Sequence, residues 1–376
     1  MSPVPHAQAA PPASAPDRLK SLARELDAIA DAVRADLGSR DRDYITRVIA
    51  VQRGLELAGR VFLAASRYSP AAALGCALLA LSKIVENMEI GHNVMHGQWD
   101  WMNDPAINSL SWEWDAASTA KSWKHAHNFQ HHVYTNVLGL DRDLGYSALR
   151  VESAQPWHPV YLAQPVYFFL MAAVFEWSIA LYDLELDAVR RGEKAHATAR
   201  SEIGALLRKA RAQILKDYVL FPALAGRRGA RRALIGSVVA NVVRNVWVHT
   251  IVFCGHIPEG AESFTEEEYR EETRGGRYRR QLLGSCNIEG TPLFHLLTGN
   301  LSFQIEHHLF PDLPSNRYAE IAREVEGVCE RHGLPYNSGR LGPQYRSVYR
   351  QILRLAFPGS VRRQRQRPPT RWSAGS

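Results

Sequence analysis

Between Trp123 and Asn136 the chain reads WKHAHNFQHHVYTN, a stretch that holds four histidines, His125, His127, His131 and His132. On a helix, His127 and His131 stand one turn apart on one face with His132 beside them, so three imidazoles converge on one place. Two further clusters share this character: His92 and His96 form an i, i+4 pair in GHNVMHGQ, and Gln304, His307 and His308 fall at i, i+3 and i+4 in QIEHH. Neutral imidazole suits iron, zinc, copper and nickel, so the residues announce a metal without choosing it. One zinc is satisfied by about four ligands, and seven histidines in three boxes exceed what one ion uses. The first box also lacks the glutamate of the HExxH motif, which weighs against a zinc protease.

The order HxxxH, HxxxHH, QxxHH resembles that of the integral membrane fatty acid desaturases. The wider wording ENMEIGHNVMHGQWDWMNDP, WKHAHNFQHHVYTN and FQIEHHLFP is similar to that of actinobacterial acyl-CoA desaturases, over a span from about Asp43 to about Pro358. The resemblance implies a non-haem di-iron centre held by His92, His96, His127, His131, His132, His307 and His308. Gln304 stands where a histidine could begin the third box, which leaves room for a ligand from elsewhere. Asn245, His249 and His256 fall on one helical face, so His249 or His256 is expected to complete the set, with Asn245 reaching the metal through water. The expected activity is insertion of a cis double bond into a long acyl chain carried on coenzyme A, with O2 as co-substrate and two external electrons. No side chain oxidises an unactivated alkyl chain and zinc is redox-inert, so a redox metal and dioxygen must do so, and the resemblance implies two Fe ions. The chain carries no flavin or dinucleotide fingerprint, iron-sulfur cysteine pattern or fused cytochrome b5 motif, and a separate ferredoxin or NAD(P)H-dependent reductase is expected to supply the electrons. The alternatives are a membrane di-iron hydroxylase or ketolase, and a non-enzymatic metal-binding membrane protein.

These boxes need elements that bring them to one place. Over 376 residues the composition is 46% hydrophobic and 22% charged, and the mean hydropathy of -0.25 is that of an ordinary soluble protein. The average hides bunching. Four apolar stretches stand out, Tyr44 to Tyr68, Ala71 to Ile90, Val160 to Tyr182 and Leu234 to Phe253, and the second is long enough to cross a bilayer. The fold class expected is an all-α integral membrane bundle of about four membrane helices, with a helical cap that carries the boxes. Residues 1–43 read as a disordered leader and an amphipathic helix, 44–358 as the membrane domain, and 359–376 as a basic tail. The four cysteines lie far apart and indicate neither disulfides nor a thiolate site. The net charge of +7 suits anionic lipid or a phosphorylated substrate, and no nucleic-acid partner is indicated. The expected location is the inner (plasma) membrane of a bacterium, with the site facing the cytoplasm. Bringing all three boxes to one side needs an even number of crossings between His132 and His307, either by the third and fourth stretches or by a re-entrant third stretch with Tyr218 to Leu224 helping to cross. Glu86 and Glu89 are expected as solvated helix-end carboxylates, Asp141 and Asp143 as salt-bridge or histidine partners, and 264–280 as a soluble loop.

Overall fold

The structure, a computed structural model, describes residues 14–65 and 69–359. The leader up to Ala13 and the tail from Ser360 lie outside the described residues. Helix α1 (Ala15–Ala35) is followed by α2 (Ser39–Ala65) and α3 (Ser69–Val85). Next come the short α4 (Ala120–Lys124), then α5 (Gln164–Ala173), α6 (Phe175–Tyr182), α7 (His196–Leu215) and the long α8 (Gly226–His256). Helices α9 (Arg274–Gly284), α10 (Gln304–Leu309), α11 (Tyr318–His332) and α12 (Leu341–Leu355) complete the chain. Two three-residue strands, β1 (Asn287–Glu289) and β2 (Ser338–Arg340), pair in parallel with Asn287 opposite Ser338.

The long helices form two antiparallel hairpins. In the first, α2 and α3 approach closely because each presents a glycine to the other: a Cβ on Gly59 would lie 2.8 Å from the Leu79 nitrogen, and one on Gly75 2.8 Å from the Phe62 Cβ. Small residues at such crossings let backbones meet without a hydrophobic driving force. In the second hairpin α7, extended by turns at Lys216–Leu220 and Phe221–Leu224, runs back beside α8. Asn241 donates to Asp217 at 3.3 Å and to the Tyr218 hydroxyl at 2.8 Å. The two hairpins meet where Gly229 faces the Ala64 carbonyl. By length and composition, the continuous helices Pro70–Met95 and Gly226–His256 can each cross a membrane. Leu234, Ile235, Val238, Val239 and Val242 of α8 face outward, as a lipid-facing helix requires.

The third apolar stretch is no straight span. Its halves, Pro159–Ala173 and Phe175–Arg190, meet at 99°. Asn245 of α8 holds the break, donating to the Ala173 carbonyl at 3.0 Å and accepting from the Glu176 amide at 3.4 Å. Descent through α7 and return through α8 therefore bring His256 to the end of the bundle where the boxes stand. Arg227, Arg228 and Arg231 lie at the start of α8, on the order of 40 Å along the helix from His256.

The cap closes over the histidine end. Leu22, Leu26 and Ile29 of α1 share one core with Leu282 of α9, Ile305 and Leu309 of α10, and Ile321 and Val325 of α11. The stretch expected to be a loop, 264–280, is instead partly helical, because Thr265 and Glu268 form a reciprocal cap and Thr273 caps α9. Trp99 is fully buried, its ring 6.2 Å from that of Tyr44.

Candidate metal centre

Two of the three boxes lie on a widened helix. Beyond Val85, α3 passes into a π-helical turn at Glu86–His92 before Asn93–Met95, and α4 passes into another at His125–His131 before His132–Tyr134. A π turn closes i to i+5 and rotates the following residues relative to an α-helix, a distortion common at functional sites. Here it aims neighbouring histidines at two adjoining places. Box three sits on α10, whose Gln304, His307 and His308 are all buried.

The ligand nitrogens of His92, His96, His127 and His307 lie within 4.8 Å of one another, as do those of His131, His256 and His308, and those of His132, His307 and His308. Two nitrogens across one ion, each about 2.1 Å from it, are about 4.2 Å apart, so each set has nearly the spread of a shared ion. His307 and His308 link the sets: His92 Nε2 is 3.3 Å from His307 Nε2, and the rings of His132 and His308 stack at 4.3 Å. The second nitrogens are held from behind. His131 Nδ1 lies 3.1 Å from both oxygens of Asp141, and His127 Nδ1 lies 3.3 Å from Asp143. His307 Nδ1 meets the Tyr318 hydroxyl at 3.2 Å, His308 Nδ1 meets Gln281 Oε1 at 3.1 Å, and His256 Nδ1 meets the Gly284 carbonyl at 3.1 Å. The Nε2 atoms of His96, His127, His132 and His308 are buried without a hydrogen-bond partner. Buried polar atoms are seldom left so, and Nδ1 anchored with Nε2 free is the arrangement of metal-ligating histidines.

Burial, reinforced by the neighbouring imidazoles, holds His127, His132, His307 and His308 well below the usual histidine range, so they keep the neutral, electron-donating form. Burial acts the same way on His131, but the Asp141 carboxylate outweighs it and raises that group. Asp141 also accepts from the Asn136 amide at 2.7 Å. Asn136 in turn donates to the carbonyls of His256, Glu262 and Gly284, tying box two to the ends of α8 and α9.

Not every expected residue arrives here. His249 joins none of the histidine sets among the described residues; its ring stacks on Phe253 at 4.2 Å and lies 4.6 Å from Phe168. Asn245 braces the bend between α5 and α6. His125 points outward, 54% exposed, against Phe129. Glu86 and Glu89, expected to be solvated, are buried: Glu86 accepts from the Asp115 amide at 2.9 Å, and Glu89 accepts from Tyr44 at 2.9 Å, from Asn300 at 2.9 Å and from Ser315. Sequence reasoning missed Gln281 and Arg280 of α9. Gln281 donates to the His132 carbonyl at 2.9 Å, and Arg280 donates to the carbonyls of Thr135 and Val133 at 3.0 and 2.9 Å. No motif marks these two, since only tertiary contact gives them their partners.

A cavity opens beside the first histidine set. Trp114, Trp123, Phe175, Val248 and Val252 line it together with His92 and His127, and Trp123 stacks on His127 at 4.5 Å. Fold and site together define a helical membrane protein with histidine clusters able to hold metal beside a partly apolar cavity. The family model for fatty acid desaturases matches residues 68–340. An NADPH-dependent stearoyl-CoA 9-desaturase of Mycobacterium tuberculosis is 47% identical over 343 residues, covering 90% of this chain and 80% of the relative. A sn-1 linoleoyl-lipid 6-desaturase of Synechocystis is 26% identical over 84% of this chain and 90% of its own length, and human fatty acid desaturase 3 is 26% identical over 70% and 57%. The chain belongs to the fatty acid desaturase family. It is an oxidoreductase that places double bonds in fatty acyl chains.

Proposed function

We propose that this enzyme desaturates a long-chain acyl-CoA, at carbon 9 of a stearoyl-type chain, using O2 and two electrons at a di-iron centre. The observation that carries this reading is the adjacency of the imidazole sets to a cavity with an apolar wall. One ion would be held by His92, His96, His127 and His307, the other by His131, His256 and His308, with His132 between them; His256, not His249, completes the set. When bound, the iron pair supplies the oxidising power that side chains lack. Overall, two vicinal C–H bonds become one C=C bond, and O2 with two electrons and two protons becomes two waters.

The protein's own residues bind and orient. Trp114, Trp123 and Val252 exclude water from the alkyl chain, and Asp141 and Asp143 fix the rings of His131 and His127. The acyl carrier stays at the aqueous, cap end, which faces the cytoplasm of a bacterial plasma membrane. Electrons arrive from a separate ferredoxin or NAD(P)H-dependent reductase, and the NADPH dependence in the mycobacterial relative's name favours the latter. Expression in a host with a reductase, followed by fatty-acid analysis, tests the reading: a new cis double bond at carbon 9 is expected, while a hydroxylated product or none contradicts it.

A further inference from the structure

Charged side chains line part of the cavity beside His92 and His127. Val252, Val248 and Arg244 precede His256 on α8 at steps of four, so they form one stripe leading away from the metal end. All three residues line the cavity, as does Glu176. Arg244 and Glu176 pair at 2.7 Å with side chains 1% and 4% exposed. The pair is backed by a buried polar layer. Gln213 donates to Glu176 at 2.8 Å, Arg244 donates to Asn241 at 3.3 Å and to the Asp115 carbonyl at 3.4 Å, and beyond them Asp217 meets Lys83 at 2.7 Å and Arg60 at 2.8 Å. The Nε of Arg244 has no hydrogen-bond partner. Charged side chains inside a membrane bundle are expensive and mark function.

We propose that the Arg244–Glu176 pair is the stop that sets acyl chain length, an inference that rests on the acyl-CoA reading above. The phosphorylated carrier must stay in water, so the methyl end is the one that enters the slot. An alkyl terminus gains nothing against paired charges, and moving past them would separate a buried ion pair, which is costly. From His256 to Arg244 α8 rises on the order of 18 Å, so the pair stands well away from the histidine end.

The test supplies purified enzyme and a reductase with an equimolar mixture of palmitoyl-, stearoyl- and arachidoyl-CoA and reads the ratio of desaturated products. The paired replacement Arg244→Leu with Glu176→Leu removes both charges at once and leaves neither unpartnered. It is expected to raise the arachidoyl-to-stearoyl product ratio by about tenfold, the scale on which a pocket discriminates single methylenes. Val248→Phe, one turn nearer the metal, is expected to raise the palmitoyl-to-stearoyl ratio by a similar factor. A merely structural role would lower turnover on all three substrates alike. Wild-type ratios in an active paired variant overturn the stop; should that variant not fold, an unchanged ratio in Val248→Phe does so. Absence of any desaturated acyl-CoA with the wild-type enzyme would instead defeat the underlying acyl-CoA reading.

Discussion

His249 and His256 lie on the same face of α8 and are indistinguishable by periodicity, yet they have different surroundings. His256 has its Nδ1 on the Gly284 carbonyl and its ring 4.4 Å from His308, whereas His249 is enclosed by phenylalanines. His256→Ala is therefore expected to lower bound iron and abolish turnover, while His249→Leu keeps the iron; elemental analysis of the two purified variants separates them. Asp141 meets His131 and accepts from the backbone amides of Asn136 and Asp143. Asp141→Asn is expected to cost 10- to 100-fold in activity or metal affinity, measured by turnover and by iron retained against a chelator. At this scale the three boxes were legible, because spacing along a helix is local information. The depth of His249 was not legible, since two helical turns of about 10 Å decide between phenylalanines and imidazoles without changing the pattern. The partners of Asp141 and Asp143 were half legible: their nearness to box two was plain, and only the turn after Asn136 reveals which nitrogen each one meets.

Among the elements, the π turns matter most to the site, and no sequence signal announced them. Their extra residue is held by contacts outside the turn. Arg280 and Gln281 bind the carbonyls that follow box two, Arg280 is 2% exposed, and it also pairs with Glu272 at 2.7 Å. Arg280→Ala leaves a carboxylate and two carbonyls without their donor and is expected to destabilise the fold by about 3 kcal/mol, seen as a lower melting temperature in detergent. Arg280→Lys should rescue this poorly, because a point cation cannot reproduce the guanidinium fork. The hairpin of α2 and α3 depends in the same way on close approach. Gly75→Leu would drive a side chain into the Leu63 backbone, 2.9 Å from the added Cβ, with an expected loss of about 1–3 kcal/mol in the same melting assay. The bend between α5 and α6 was not legible from composition: the stretch is apolar enough to cross, and only Asn245, from α8, shows why it turns.

At the scale of the whole molecule, two helical hairpins carry histidines to one end and a cap encloses them, with a charged layer across the bundle below. That layer was hidden from sequence, because Lys83, Asp115, Asp217 and Arg244 are scattered and each looks like an interruption of an apolar helix. Lys83 is 3% exposed and bridges Asp115 and Asp217; Lys83→Met removes the cation they share but leaves Asp217 with Arg60 and Asp115 with Lys216, so the expected cost is about 1–3 kcal/mol, below that of a fully orphaned buried charge. The third apolar stretch is bent by 99° and lies beside the cavity, as the re-entrant alternative has it, while Gly226–His256 is long and apolar enough to cross. All these devices serve one outcome, the meeting of imidazoles from the three boxes and α8 in neighbouring clusters, which the proposed reading fills with two ions. Elemental analysis of the purified, folded chain tests that most directly: about two irons per chain are expected, dropping in His96→Ala and in His308→Ala, whereas a single zinc, or a folded protein that binds no metal, would contradict it.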